Sequence, residues 1–360
     1  MKILIAGGGT GGHIYPVVSI AKTFIKNGDE VVLVGRKNSE EENIYKAHKL
    51  YTRTIESAAL EFSPKKFSKF VHKASIGIKE AYRTLREENI DAVIGAGGYV
   101  SAPIVFAAIT KNIPVFLYEQ NIVPGRANRL FAKKSKKIFM GFPDIYGFFD
   151  TEKTAFTGNP IRKKIVNIKR KDALNFFKFD DKPTLLVLGG SGGAKKINDT
   201  FSNIIKKLLF KSRNIQIIFI TGERDYRAIT KKNKALSPRV KIIPYLEEVE
   251  YAIGAANFAV SRAGAMTLTE LTRKGVPGII IPYPHARDNH QEKNALFLKS
   301  KGCIDLIKES MLSENMLRNK IIYYLTHPNI IKTMKNNTEG IFPENSEELM
   351  YNKVRGEINE

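Results

Sequence analysis

A short apolar run, Ile3-Leu4-Ile5-Ala6, empties into five glycines within six positions, Gly7-Gly8-Gly9-Thr10-Gly11-Gly12, and His13 follows at once. Few local patterns restrict a fold more. The run is too short for a helix and reads as a buried strand, and the glycines let the chain turn sharply into a helix. A helix that starts there presents unpaired N–H groups, which make a ready anion site. His13, in the first helical turn, adds a group that titrates near neutrality, so the segment suggests acid–base chemistry beside a ligand. The plainer reading is a tight connection in which His13 makes a structural hydrogen bond.

The pattern repeats along the chain. Apolar runs at 3–6, 31–34, 92–94 and 115–118 alternate with helix-length segments, which predicts a parallel, doubly wound sheet. A second glycine turn, Gly95-Ala96-Gly97-Gly98, follows the run at 92–94. A run at 184–188 then enters Gly189-Gly190-Ser191-Gly192-Gly193, with a helix expected over 194–210. Further strands are expected at 215–220, 240–243, 258–260 and 278–281. The loop at Gly189 is no Walker motif, because Lys195 is followed by Lys196 and not by Ser or Thr. The seam between two such domains falls near Thr157-Gly158-Asn159-Pro160, and a terminal helix over 346–355 is a candidate to return to the first. Ligands bind beyond the carboxyl ends of strands in such sheets, so the two domains are expected to face one cleft.

A chain of 360 residues suits two domains, and its single cysteine, Cys303, excludes a disulfide framework and fits a reducing cytoplasm. No apolar run is long enough to span a bilayer. The net charge of +22 points to an anionic partner. There is no Trp and no nucleic-acid recognition signature, so no nucleic-acid partner is expected. An anionic membrane surface is the other choice. Over 62–78, Phe67, Phe70, Val71, Ala74 and Ile78 fall at helical spacing, flanked by Lys65, Lys66, Lys69 and Lys73. That is the pattern of a basic helix lying in a lipid interface, and equally of a helix packed on a domain core.

Gly7, Gly9 and Gly12 also match a dinucleotide fingerprint, but the second strand ends in Gly35-Arg36 and carries no carboxylate for a ribose. Arg36 keeps an NADP enzyme as an alternative. Later, Ser261-Arg262-Ala263-Gly264-Ala265-Met266-Thr267 follows a strand and opens another helix, with Glu270 inside it. Small residues there let a diphosphate meet helix amides, and Glu270 is placed to accept from a ribose diol; its plainer role is a solvated helix residue. His285, Asp288 and His290 do not have the spacing of a metal site, and no metal is expected. Asp288 reads as an N-cap for the helix carrying Gln291, whose amide can donate to and accept from sugar hydroxyls.

Seven stretches in register resemble the MurG family of bacterial glycosyltransferases. They are Gly8 to His13, Gly97-Gly98-Tyr99-Val100-Ser101, Glu119-Gln120-Asn121, Gly158-Asn159-Pro160-Ile161-Arg162, Gly189-Gly190-Ser191, Ser261 to Gly264 with Glu270, and His290-Gln291 with Asn294-Ala295. The resemblance implies the GT-B architecture, two Rossmann-like domains facing a cleft. It also implies an inverting, metal-independent and cofactor-free transfer of N-acetylglucosamine from UDP-GlcNAc to the MurNAc 4-hydroxyl of lipid I, at the cytoplasmic face of the inner membrane. His13 is then the expected base. Thr10, Gly11, Gly12 and Asn121 are expected on the donor sugar or diphosphate. Arg162 and Ser191 are expected at the nucleotide diphosphate, Leu246 at the uracil, and Ala265, Met266 and Thr267 at the phosphates. Glu270 is expected at the ribose and Gln291 at the sugar hydroxyls. Residues 1–160 would face acceptor and membrane, with Phe67, Phe70, Lys66 and Lys69 against the lipid. Residues 161–335 would hold the donor, and 336–360 would pack back on the first domain. Two positions depart from the family pattern: Gly192 stands where Gln is usual, and Ala263 where Ser is common.

Overall fold

The computed structural model describes residues 1–8, 11–57, 64–189, 193–234 and 236–359, with the side chains of 11, 64–70 and 359 also set aside. The chain forms two units, Met1–Ile161 with Pro343–Glu360, and Arg162–Phe342.

The first unit is built on seven parallel strands: β1 (Lys2–Ala6), β2 (Glu30–Arg36), β3 (Thr52–Ile55), β4 (Ala92–Gly95), β5 (Val115–Glu119), β6 (Lys137–Met140) and β7 (Thr154–Phe156). Their order is β3-β2-β1-β4-β5-β6-β7. Both faces are covered. Ile3 and Ile5 point into one core with Val17, Phe24 and Phe116, whereas Leu4 and Ala6 point into the other with Leu85, Val93 and Ile104. Two buried faces explain why β1 reads as a continuous apolar run and not as an alternation.

The second unit repeats the plan with β8 (Thr184–Leu188), β9 (Gln216–Ile220), β10 (Val240–Ile243), β11 (Phe258–Ser261), β12 (Gly278–Ile280) and β13 (Ile304–Leu306), ordered β10-β9-β8-β11-β12-β13. Every strand pair is parallel. The chain order reverses between β1 and β4 in one sheet and between β8 and β11 in the other. Helices on either side of a reversal lie on opposite faces, so a crevice opens beyond the strand ends there. The carboxyl ends of β1, β4, β8 and β11 lie at these reversals.

Four strands, β3, β6, β7 and β13, carry no sequence signal strong enough to be expected. Three of them are sheet edges. In β3 only Ile55 is buried, so Thr52, Arg53 and Thr54 leave no apolar run to read. The C-terminal helix begins at Ser346 and runs to Asn359. The stretch 336–342, expected with it, belongs to the second unit instead, because the helix Pro328–Asn336 packs Met334 into that unit's core. The terminal helix inserts Met350 and Val354 into the first core, and Tyr351 meets Phe24 edge-on at 5.1 Å.

Candidate active site

At the first reversal, the helix Gly11–Lys26 begins directly after the β1 turn and carries Gly11, Gly12 and His13 in its first turn. Thr10 lies outside the described residues. Across the reversal, Gly97 and Gly98 both have φ of +79° and open the helix Gly98–Thr110. A Cβ on Gly98 would stand 2.4 Å from the Gly8 carbonyl oxygen, so only glycine lets the two turns close up. A Cβ on Gly97 would touch the His13 ring at 3.4 Å.

Each ring nitrogen has a partner. Nδ1 lies 3.2 Å from the Ala96 carbonyl oxygen, which can only accept, so Nδ1 carries the proton. Nε2 lies 3.0 Å from the Gln120 side-chain nitrogen and accepts from it. The neutral ring therefore keeps its basic lone pair on Nε2, the form a general base requires.

Gln120 stands at the end of β5 beside Glu119. The Glu119 carboxyl is buried, which pushes its pKa up, against hydrogen bonds from the Asn121 amide at 2.9 Å, the Gly125 amide at 2.8 Å and the Asn128 side chain at 2.9 Å. Those bonds fold the Asn121 turn over the strand end, which positions Asn121 beside Gln120. A carboxylate absent from the end of β2 comes from elsewhere: Glu41, 2% exposed, accepts from the Arg36 amide at 3.3 Å. Its Oε1 would lie 2.8 Å from a Cβ on Gly8. The sequence gives no sign of this approach, since the helix bearing Glu41 starts four residues after the last residue of β2.

At the second reversal, Gly264 precedes the helix Ala265–Arg273, and no side chain caps it. The amides of Ala265, Met266 and Thr267 occupy the first turn, where an anion is favoured. Glu270 follows on this helix. Its Oε1 is 3.4 Å from Arg162 Nη2, and Arg162 Nη1 donates to the Glu247 carbonyl at 3.2 Å. Burial raises the Glu270 pKa, and the Arg162 charge opposes the rise. Leu246, in the loop after β10, packs partly buried against the core. Ser191 lies outside the described residues.

Two expectations need correcting. Asp288 does not cap the helix His290–Ser300; Asn289 stands at that position with φ of 55°, and Asp288 itself has φ of 51°. The carbonyl end of Gln291 is occupied by the Ala263 amide at 3.2 Å and the Tyr283 amide at 3.0 Å. Gln291 can therefore offer a sugar its N–H donors but not its acceptor. The same bond shows what Ala263 contributes, a backbone amide that fixes Gln291. Among the described residues no group of three or more His, Cys, Asp or Glu is arranged to hold a metal.

With these two sites defined, comparison with known proteins is direct. Residues 3–140 match the glycosyltransferase family 28 N-terminal domain and 184–349 its C-terminal domain. A protein of Thermoanaerobacter sp. (strain X514) named UDP-N-acetylglucosamine--N-acetylmuramyl-(pentapeptide) pyrophosphoryl-undecaprenol N-acetylglucosamine transferase is 37% identical, covering 99% of both chains. One of the same name from Halothermothrix orenii is 40% identical over 88% of each. The crystal structure of Acinetobacter baumannii MurG shares the fold, with a TM-score of 0.77 and 24% identity over 99% of both chains. The chain belongs to the MurG family.

Membership in the MurG family also fits the two Rossmann-like sheets of the GT-B architecture. The membrane-facing expectation falls on the helix Pro64–Glu87. Phe67, Phe70, Lys66 and Lys69 lie in its first turns, and their side chains are outside the described residues. One turn on, Val71 is 49% exposed and Lys73 pairs with Glu56 at 3.2 Å. No described helix is long and apolar enough to cross a membrane.

Proposed function

We propose that this chain transfers N-acetylglucosamine from UDP-GlcNAc to the MurNAc 4-hydroxyl of lipid I, giving lipid II and UDP. What carries the reading is that relatives named for this transfer match it across 99% of its length. The sugar C1 bonds to the acceptor oxygen as the C1–O bond to the diphosphate breaks, with inversion at C1. The hydroxyl proton passes to His13 Nε2, and the electron pair leaves with UDP. An alcohol is a poor nucleophile, so a base at its oxygen is worth roughly 10²–10⁴-fold.

The first unit takes the acceptor, with Thr10, Gly11, Gly12 and Asn121 meeting the transferred sugar. The second takes the donor. Ala265, Met266 and Thr267 offer amides to the diphosphate, joined by Ser191 and the Arg162 charge. Glu270 accepts from the ribose, Gln291 donates to the sugar, and Leu246 lies against the uracil. These fixed donors stabilise the leaving diphosphate without a metal ion. The enzyme works as a peripheral protein on the cytoplasmic face of the inner membrane, with Phe67, Phe70, Lys66 and Lys69 toward anionic lipid.

Labelled UDP-GlcNAc and a lipid I analogue test the reading directly. Labelled lipid II should form, and EDTA should not stop it. Absence of product would overturn the assignment, and product lost only in EDTA would overturn its metal-free part.

A further inference from the structure

We infer that the Gln120 carboxamide is the positioning group that follows the proton on His13, presenting its N–H to the neutral ring and its oxygen to the protonated one. The inference rests on the role proposed above for His13 and adds a residue to it. Gln120 is 8% exposed, and its two ends are in unequal states. The nitrogen end donates to His13 Nε2 at 3.0 Å. The oxygen end, Oε1, is buried with no hydrogen-bond partner. A buried carboxamide oxygen left unpaired is costly and uncommon, and here it sits on the side chain that covers the basic nitrogen.

Rotating the terminal amide by half a turn gives Oε1 a donor only when His13 is charged. Nδ1 is committed to Ala96 in either state. With a proton on Nε2, the ring becomes a donor there, and the rotated Oε1 can accept from it. Proton uptake thus exchanges one Gln120 end for the other at the same point in space. In the resting enzyme the amide holds Nε2 proton-free and the ring in place. An incoming hydroxyl must displace that N–H to reach the lone pair, which keeps the base covered until acceptor arrives.

Titratable groups on the adjoining elements have partners of their own. The Glu119 carboxyl accepts from the Asn121 and Gly125 amides and from Asn128. The Tyr118 hydroxyl donates to Asn159 at 2.5 Å, and the Tyr45 hydroxyl donates to the Gly7 carbonyl at 2.7 Å. Glu41 accepts from the Arg36 amide, and Tyr99 on the facing helix is 43% exposed.

Nitrogen-15 NMR of the full-length enzyme, labelled in histidine and in glutamine side chains and titrated without substrate, tests this apart from turnover. The neutral His13 ring should carry its proton on Nδ1, and the Gln120 carboxamide resonances should shift with the same midpoint as the ring. Gln120→Glu, which can only accept, should raise that midpoint by one pH unit or more. The acidic limb of kcat/KM should move with it, while the KM for UDP-GlcNAc changes little. A neutral ring protonated on Nε2, a Gln120 amide indifferent to the titration, or a Gln120→Glu profile superimposable on wild type would each overturn the inference. Should that variant not fold, the wild-type titration decides alone. Lipid II synthesis with uncoupled resonances refutes only this inference, whereas loss of synthesis refutes the reading beneath it.

Discussion

His13 and Glu270 carry opposite burdens, and each can be read by one substitution. His13 has its Nδ1 fixed by a backbone carbonyl, so its removal takes away the proposed base and little else. His13→Ala should lower turnover by roughly 10²-fold or more and leave UDP affinity close to wild type. Rapid-quench turnover beside calorimetric UDP binding measures both, and unchanged turnover would remove His13 from the chemistry. In its proposed role Glu270 must be ionised to accept from both ribose hydroxyls, yet burial raises its pKa above the usual 4.5 against the pull of Arg162. Acidification therefore protonates it earlier than an ordinary glutamate, and UDP affinity should begin to fall at a pH above that value. Glu270→Gln should weaken UDP by roughly 10–100-fold at neutral pH, the worth of a hydrogen bond to a charged group, and flatten the pH dependence. A variant that binds UDP as tightly would place the ribose elsewhere. The places of these two residues, on helices that follow β1 and β11, were legible because each helix follows an apolar run. Glu41 and Gln120 were not, since nothing in a one-dimensional pattern says that Glu41 reaches Gly8 or that a carboxamide covers Nε2.

Turns and staples hold the elements in register. Gly98 meets the Gly8 carbonyl across the sheet reversal with φ of +79°, so any Cβ both strains the backbone and pushes β1 from β4. Gly98→Ala should cost on the order of 1–3 kcal/mol and depress turnover, because Ala96, the Nδ1 partner, lies two residues before it. Denaturant melts showing wild-type stability would refute the contact. A second staple closes the other end of the sheet. Glu88, 6% exposed, receives Lys2 of β1 at 2.9 Å, Tyr51 at 2.8 Å and Arg53 of β3 at 2.7 Å. Burial pulls its carboxyl up, but these hydrogen bonds win and bring it down to about 2 from the usual 4.5. A lowered folded-state pKa stabilises the fold above the unfolded value and loses that contribution as pH falls toward the folded one. Glu88→Gln should therefore destabilise by about 2 kcal/mol at pH near 7, with the deficit shrinking between roughly pH 4.5 and 2. A deficit that does not vary with pH would refute the linkage. The interior strands were readable for the reason that they are buried on both faces. Edge strands β3, β7 and β13 were not, because sheet pairing and not composition defines them.

At the scale of the molecule, the chain leaves the first unit after Ile161 and returns at Pro343, so the C-terminal helix completes a core begun at Ile3. Cutting away one side chain of that return should be felt: Met350 is fully buried, and Met350→Ala should cost on the order of 2–5 kcal/mol, read as an earlier unfolding transition. Charge works at the same scale. A net +22 repels itself unless something anionic faces it, and the relatives' named acceptor is a polyprenol pyrophosphate, a lipid. Lysines 65, 66, 69 and 73 are concentrated around the first turns of one helix, with Phe67 and Phe70 among them. Each cation near an anionic bilayer contributes about 1 kcal/mol, and the contribution fades beyond a Debye length. Replacing Lys66 and Lys69 by Glu removes two attractions and adds two repulsions. Partitioning onto phosphatidylglycerol vesicles at low ionic strength should fall by roughly thirtyfold or more, the equivalent of about 2 kcal/mol from the lost cations alone. On phosphatidylcholine vesicles the same variant should differ little from wild type, since no surface charge remains to be read. Equal loss on both lipids would mean that the substitutions had disturbed the helix, and undiminished binding to the anionic vesicles would move the docking face to another part of the surface.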